Sequence, residues 1–453
     1  MDKVDVAIIG AGTAGLAAYR AVTAAGKSAV IVDHGPLGTT CARVGCMPSK
    51  LLLQAAHVAQ SARDSAQFGI AVGTVAVDER AVFARVRAER DRFVSLVNQG
   101  IGDIGVRNGT AIFTSPETIA VDGELLQANA FVVAVGSSPT MPEPLRGLPV
   151  LTSDTIFELE KIPRRLAVVG AGAIALELGQ AMSQLGAEVT FFTNDDKVAF
   201  ISDPKIRASA LANLGLNLNL ESKLTAARIA DTTWTLVFGT HEREFDAVLV
   251  AAGRTRKLAA LDLGKAGLDP RQPMFDTRTM RCGDSRIFLA GDAAGDRPIL
   301  HEAADEGRIA GDNAAHFPHV KKAARRMPIA VIFTAPQIAF VGERFSELEQ
   351  PHVGEVDFAD QGRARVMGQN RGLLRIYADR SSGTLRGAEL IGPEVEHLAH
   401  LLAWSFTHQP TASDLLQMPF YHPVLEEGVR TALKQLAGLA VSTGSDLDCG
   451  AGT

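Results

Sequence analysis

The chain has 453 residues, four of them cysteine, with 46% apolar and 21% charged residues and a formal net charge of -6. That length suits about three domains of an ordinary globular protein, and the negative balance offers no basic surface for nucleic acid. Four cysteines do not make a secreted disulfide scaffold, and no stretch approaches the ~20 apolar residues of a membrane helix.

From Val4, "VDVAIIGAGTAGLAAYRAVTAAGKSAVIVD" reads as an apolar strand, a glycine turn, an amphipathic helix and a second apolar strand. This is the βαβ unit of a dinucleotide site, with Gly10, Gly12 and Gly15 as GxGxxG. Its glycines allow a tight turn and close backbone approach to a pyrophosphate seated on the helix N-terminus. Asp33 closes the second strand, 23 residues after Gly10, where a carboxylate can accept bonds from ribose hydroxyls. The chain opens on a strand pattern without the basic, apolar and cleavage regions of a leader, so the expectation is a cytoplasmic protein. A disulfide there is more often catalytic than structural.

Next comes "GPLGTTCARVGCMPSK", residues 35–50. Cys41 and Cys46 should begin a long helix, where the dipole favours a thiolate. Taken alone, the pair could be a redox couple, part of a metal site or two inert thiols. A structural zinc site would need four Cys or His ligands, and no second pair lies nearby.

Residues 51–100 carry apolar residues at helical spacing. "ANAFVVAVGSSP" is a buried strand ending in a turn at Gly136, and "MPEPLRGLP" is a Pro-rich boundary. From Arg165, "RLAVVGAGAIALELGQAMSQLGAEVTFFT" repeats the first unit with Gly170, Gly172 and Ala175. The position equivalent to Asp33 is Thr193, followed by Asn194, Asp195, Asp196 and Lys197. Neither the acid that favours NAD nor the arginine that holds a 2′-phosphate is present at that point. The unit closes on the strand "FDAVLVAAGRT", with Gly253. "RIFLAGDAAG" is a strand running into Gly291 and Asp292, followed by a helix from His301. From about Met327 an antiparallel sheet and then helices are expected, with "FYHPVLEE" supplying His422 and Glu427. The tail "STGSDLDCGAGT", with Cys449, reads as disordered.

The fold expected is α/β, with two Rossmann-like dinucleotide-binding domains and a separate C-terminal α+β domain. Two dinucleotide sites fit a flavin that carries electrons and a nicotinamide that exchanges them.

These motifs, in this order along essentially the whole chain, resemble the class I pyridine nucleotide–disulfide oxidoreductases, nearest in motif to the dihydrolipoamide dehydrogenase branch. The resemblance implies an FAD-binding domain over 1–148, an NAD(P)-binding domain over 149–270, a central segment over 271–326 rejoining the FAD domain and a dimerisation domain over 327–453. It implies that Cys41 and Cys46 form the redox disulfide beside the flavin. Cys41 would exchange with a dithiol, and Cys46 would face the flavin as a charge-transfer thiolate. It implies Lys50 near the flavin ring with Glu177 as its ion-pair partner, and Asp292 on the ribityl or phosphate region of FAD. The cofactor contacts it carries over are Gly10, Gly12, Gly15, Asp33, Lys50, Gly136, Asp292, Gly170, Gly172, Glu177, Thr193 and Gly253; no metal is implied. His422 would act as the base for thiol–disulfide exchange, held by Glu427, as histidine suits proton transfer near neutral pH. In the family this pair reaches the disulfide of the other subunit, so the active site would require a homodimer, with C2 symmetry expected.

The substrate implied is a small-molecule or lipoyl-bound dithiol or disulfide, and a 2-oxo acid dehydrogenase complex is among the partners to consider. Another disulfide of glutathione type, or Hg(II), is the enzyme alternative; a non-catalytic flavoprotein subunit would not need the cysteine–histidine–glutamate set. Three departures stand out. Thr193 leaves the choice of NAD or NADP open, with Asp195 and Asp196 tilting it toward NADH by repelling a 2′-phosphate. Ala173 replaces a larger residue over the nicotinamide pocket. Arg20 occupies a place like that of a carboxylate-binding arginine in glutathione reductases, although a solvated helix arginine is the simpler account. Cys449 lacks the second cysteine of the C-terminal pair in mercuric reductases, and Cys282 reads as structural.

Overall fold

A computed structural model describes residues 2–439. The first strand, β1 (Asp2–Ile9), is buried from Val6 to Ile9 on both faces, as its unbroken apolar run requires of a parallel central strand. It leads into helix α1 (Thr13–Ala24) and pairs in parallel with β2 (Ala29–Asp33). Two helices follow, α2 (Thr40–Val44) and α3 (Cys46–Asp64). Here the sequence expectation needs correction. The cysteines do not share one helix: Gly45 breaks the run, with φ -119° and ψ -120°. A Cβ at Gly45 would lie 3.0 Å from the Thr40 carbonyl oxygen, so the sharp bend is open to glycine. Cys41 therefore sits on the short helix, and Cys46 opens the long one.

Helix α4 (Glu79–Gly102) is capped by the Asp78 carboxylate, which accepts from Ala81 N. Strands β3 (Val106–Asn108), β4 (Ala111–Ser115), β5 (Thr118–Val121) and β6 (Glu124–Val133) complete a sheet of order β3-β2-β1-β6-β5-β4. Beyond β6 the chain forms β7 (Ser137–Pro139) and β8 (Leu151–Thr152).

The second unit comprises β9 (Arg165–Val169), α5 (Ala173–Gln184), β10 (Glu188–Phe192), α6 (Pro204–Asn213) and β11 (Asn217–Asn219). An antiparallel meander follows, β12 (Leu224–Ala230), β13 (Thr233–Phe238) and β14 (His241–Phe245), and then β15 (Ala247–Val250). The second sheet has the order β11-β10-β9-β15-β8. Strand β16 (Arg254–Arg256) pairs with β7, tying the two units together. Strand β17 (Ile287–Leu289) then returns to the first sheet and pairs with β6, Ile287 opposite Phe131. Helix α7 (Leu300–Ala315) packs along α1.

The C-terminal part is the expected antiparallel sheet: β18 (Ile329–Ile332), β19 (Gln337–Gly342), β20 (His352–Asp357), then the short α8 (Gly362–Val366), β21 (Leu373–Ala378) and β22 (Leu385–Gly392). Its order is β18-β19-β22-β21-β20. Helices α9 (Val395–Phe406), α10 (Ala412–Leu416) and α11 (Glu427–Leu436) complete it. Buried carboxylates fasten this part to the second unit. Glu389 accepts from Ser202 N, Ser202 Oγ and Asp203 N, and from Phe345 N on its own side. Asp203 in turn receives Tyr377 Oη at 2.9 Å and the Arg375 guanidinium.

Among the described residues no helix is long and apolar enough to cross a membrane. Cys449 and the tail lie outside the described residues.

Candidate active site

The two βαβ units share the same backbone mechanics. At the first turn Gly10 has φ +110°, and an added Cβ would lie 2.4 Å from the Ala134 carbonyl oxygen. At the second, Gly170 has φ +123°, and its Cβ would lie 2.3 Å from the Ala251 oxygen. In both, the turn amide is bonded to the end of the next strand: Gly10 N to Val32 O and Gly170 N to Phe192 O. Asp33 and Thr193 each follow directly, so the 23-residue spacing identifies equivalent positions.

Both cradles fit a dinucleotide. Gly12 and Gly172 cap α1 and α5 with no side-chain bond to the first turn and no acid within it. A Cβ on either would meet nothing within 4 Å, so each faces open space in front of unsatisfied helix donors. Asp33 braces the first cradle: Oδ2 accepts from Ala11 N at 2.6 Å and Oδ1 from Gly35 N at 2.7 Å. At the second, the Thr193 hydroxyl donates to Asp195 Oδ1 at 3.3 Å, while Asp196 is paired with Arg207. Only Asp195 of the two acids is therefore tied to the strand end.

Between the cradles lies a cavity of about 310 Å³. Cys41, Cys46, Lys50, Glu177, Arg254 and Asp292 all line it, together with Gly12 and Gly136. Cys41 and Cys46 are free thiols in hydrogen-bond contact. Cys41 donates, which pulls the Cys46 thiol down to about 7; burial opposes this and the Lys50 charge assists it. The same bond, joined by burial, drives Cys41 well above the ordinary thiol value. Cys46 is thus the more acidic of the two thiols.

Lys50 Nζ reaches both oxygens of Glu177, at 3.0 and 2.8 Å, across 127 residues of sequence. Glu177 is buried and also accepts from Phe333 N at 3.0 Å. The Phe333 ring centroid is 4.6 Å from Lys50 Nζ, a cation–π contact. Three parts of the chain therefore meet at this ion pair.

His422 and Glu427 are brought together but away from this cavity. His422 Nδ1 is 2.9 Å from Glu427 Oε1, and Val424 N donates to Oε2 at 3.1 Å. Glu427 is buried, whereas half of the His422 side chain is exposed. Neither lines the cavity that holds the cysteines of the same chain. Arg20 is exposed on α1. Cys282 is fully buried, which lifts its thiol to about 12.

Several residues escaped sequence reasoning. Arg254, one position past Gly253, and Ser137, one past Gly136, join Asp292 in a single network. Phe333 gave no signal beyond an apolar strand end. Glu306 on α7 lies under the Gly291–Asp292 turn, accepting from Gly291 N at 2.8 Å and from Arg325 at 2.9 Å. Burial raises its carboxyl to about 7. Both glycines sit at the crossing between units: Lys257 N donates to Gly136 O, and Thr140 N to Gly253 O.

Two dinucleotide cradles that open on one thiol pair describe a flavoprotein oxidoreductase. The family model "Pyridine nucleotide-disulphide oxidoreductase" matches residues 4–307, and that of the family's dimerisation domain matches residues 328–433. The chain belongs to this family, whose members are enzymes that use FAD and NAD(P)H. Its dimerisation domain supports a homodimer.

Among its relatives is a dihydrolipoyl dehydrogenase of Bacillus subtilis (strain 168), 31% identical over 96% of this chain and 99% of that one. A mercuric reductase of Shigella flexneri is also 31% identical, over 94% of this chain and 80% of its own length. In fold the chain is similar to the HOCl-induced flavoprotein disulfide reductase RclA from Escherichia coli, solved as a Cu(II) complex. The TM-score is 0.82 at 21% identity, covering 96% of this chain and 100% of that one. It is equally similar to LpdA from Mycobacterium tuberculosis, with TM-score 0.82 at 23% identity over 96% of this chain and 100% of that one.

Proposed function

We propose that the enzyme is a dithiol–disulfide oxidoreductase of the dihydrolipoamide dehydrogenase type, passing electrons between a lipoyl-like dithiol and NAD(P). The observation that carries this reading is the cavity shared by both cradles, which Cys41, Cys46 and Lys50 line together, with Cys46 the more acidic thiol. FAD, when bound, supplies the two-electron link between Cys46 and the nicotinamide.

In the oxidative direction the pair begins as a disulfide. His422 of one subunit, oriented by Glu427, takes a proton from the dithiol. The substrate thiolate attacks Cys41, forming a mixed disulfide and releasing Cys46 as the thiolate. The second substrate thiol then closes the substrate disulfide, and Cys41 leaves with a proton. Lys50, clamped by Glu177, stabilises the Cys46 charge. Gly10, Gly12, Gly15, Asp33, Gly136 and Asp292 would hold FAD, and Gly170, Gly172, Thr193 and Gly253 the nicotinamide coenzyme.

The His422–Glu427 pair favours a dithiol over Hg(II), because metal reduction has no dithiol proton to manage. A lipoyl arm presented by a 2-oxo acid dehydrogenase complex is the carrier this reading suggests. For the coenzyme we favour NADH, because Asp195 stands at the strand end where a 2′-phosphate would lie. The test is a panel of kcat/KM values for dihydrolipoamide, glutathione disulfide and Hg(II) with NAD(H) and NADP(H). Turnover of another disulfide without lipoamide would overturn the substrate, and strong NADPH preference would overturn the coenzyme.

A further inference from the structure

We propose that Arg254 is a positioning residue for the flavin site, holding the Asp292 carboxylate through the hydroxyl of Ser137; this rests on the reading of Asp292 as an FAD contact. Arg254 directs its whole fork at two serines. Nε donates to Ser137 Oγ at 2.7 Å, Nη2 to Ser137 O at 2.9 Å, and Nη1 to Ser153 Oγ at 3.1 Å. The Ser137 hydroxyl, accepting from Nε, turns its own proton to Asp292 Oδ2. The guanidinium thereby settles which way the hydroxyl points and fixes one oxygen of Asp292. The other oxygen is left for a ligand in the cavity that Asp292 and Arg254 both line.

The backbone explains how the guanidinium arrives there. Arg254 follows Gly253 at the mouth of the second cradle and opens β16. That strand pairs with β7 in a register that sets Arg254 opposite Pro139 and Arg256 opposite Ser137. Ser137 itself follows Gly136, at the mouth of the first cradle. One side chain therefore reaches from the edge of the coenzyme site to the edge of the flavin site.

The charges suit the same role. Arg254 stands between two carboxylates, 3.6 Å from Asp154 Oδ1 and 3.8 Å from Asp292 Oδ2, with 19% of its side chain exposed. It offsets negative charge where a phosphate-bearing ligand must approach. Lysine would keep the charge but lose the planar fork, which alone serves both serines at once. A plain clamp between units would need Arg254 but not the Ser137 proton, and this difference makes the idea testable.

The measurement is FAD release from the purified holoenzyme on dilution, followed by free flavin fluorescence, together with the visible spectrum of the bound flavin. The variants are Asp292→Asn, Arg254→Lys, Ser137→Ala, Ser137→Thr and the double variant Arg254→Lys/Ser137→Ala. Losing one hydrogen bond to a charged group should raise the FAD Kd about tenfold or more. We expect that loss in Asp292→Asn, Arg254→Lys and Ser137→Ala, each with an altered flavin spectrum. Ser137→Thr, which keeps the hydroxyl, should rescue both readouts. The double variant should bind no more weakly than the weaker single one, because both act through one bond.

Additive losses would overturn the relay. So would an Arg254→Lys protein with a lowered Tm but unchanged Kd and spectrum, which would make Arg254 a structural clamp. If Asp292→Asn weakens FAD while Arg254→Lys and Ser137→Ala do not, the inference fails and the reading of Asp292 stands. If Asp292→Asn binds FAD as tightly as the parent, both fall.

Discussion

The Cys41 thiol donates a hydrogen bond to Cys46, and the acidities of the two sulfurs separate in opposite directions, Cys46 falling to about 7 and Cys41 rising. In the reduced enzyme, alkylation by iodoacetamide should therefore follow the Cys46 thiolate and accelerate as pH rises through about 7. In Cys41→Ala the donor is gone, and the transition should move to higher pH. Mass spectrometry of the labelled peptides reports which sulfur reacts. An unmoved transition in the variant would rule out the Cys41 bond as its cause.

Lys50 and Glu177 push Cys46 in opposite directions: the ammonium lowers its pKa and the carboxylate raises it. Lys50→Met should shift the same alkylation profile to higher pH. Glu177→Gln should shift it to lower pH, since the amide oxygen and the Phe333 ring still hold the ammonium while the opposing carboxylate charge is gone. A circular-dichroism melt beside each profile separates local charge from unfolding. Profiles that move the same way in both variants would contradict the electrostatic account.

The separation of His422 from the cysteine cavity of its own chain leads to a complementation test. Dimers of Cys41→Ser alone, or of His422→Gln alone, should lose disulfide turnover by about 10²–10⁴-fold for the base variant. A mixed dimer with one chain of each kind would hold one site with an intact cysteine pair and an intact histidine. It should recover about half of the parental activity per dimer if the histidine crosses between subunits. An inactive mixed dimer would place both groups on one chain.

Gly12 and Gly15 should fail in different ways. A Cβ at Gly12 meets no protein atom within 4 Å, whereas one at Gly15 lies 1.8 Å from the Gly10 carbonyl oxygen. Gly12→Ala should keep the Tm of the FAD-free protein yet weaken FAD binding by crowding the ligand. Gly15→Ala should lower that Tm, since helix and turn cannot both stay in place. Equal stability losses in the two would remove the evidence that Gly12 faces a ligand.

What could be read in the sequence follows the length scale of each signal. The two βαβ units were legible because strand, turn, helix and acid repeat within about 30 residues, a local pattern with its own geometry. The equivalence of Asp33 and Thr193 came from counting alone, and both follow the strand residue that binds the turn amide. The helix start at the cysteines was misjudged because Gly45 can bend the chain in a way that composition does not specify. Arg254, Ser137 and Phe333 were missed for a different reason. Their partners lie 100 or more residues away, as with Arg254 and Ser137 at a separation of 117 and Phe333 and Glu177 at 156. Nothing local marks an arginine as the one that reaches a distant serine. The identity of the substrate was not legible for a related reason, since the thiol pair and its base serve many disulfides.

The Glu389 carboxylate, fully engaged with Ser202, Asp203 and Phe345, bears on how this enzyme must move. A swing of the second unit away from the C-terminal sheet would strip a buried anion of its Ser202 and Asp203 donors, and would also part Asp203 from Arg375 and Tyr377. Exposing or orphaning such charges costs several kcal/mol, on the order of 3–5 for one broken buried pair. Such a gap keeps a swung-apart form below about one molecule in a hundred, so the two regions rest as one block.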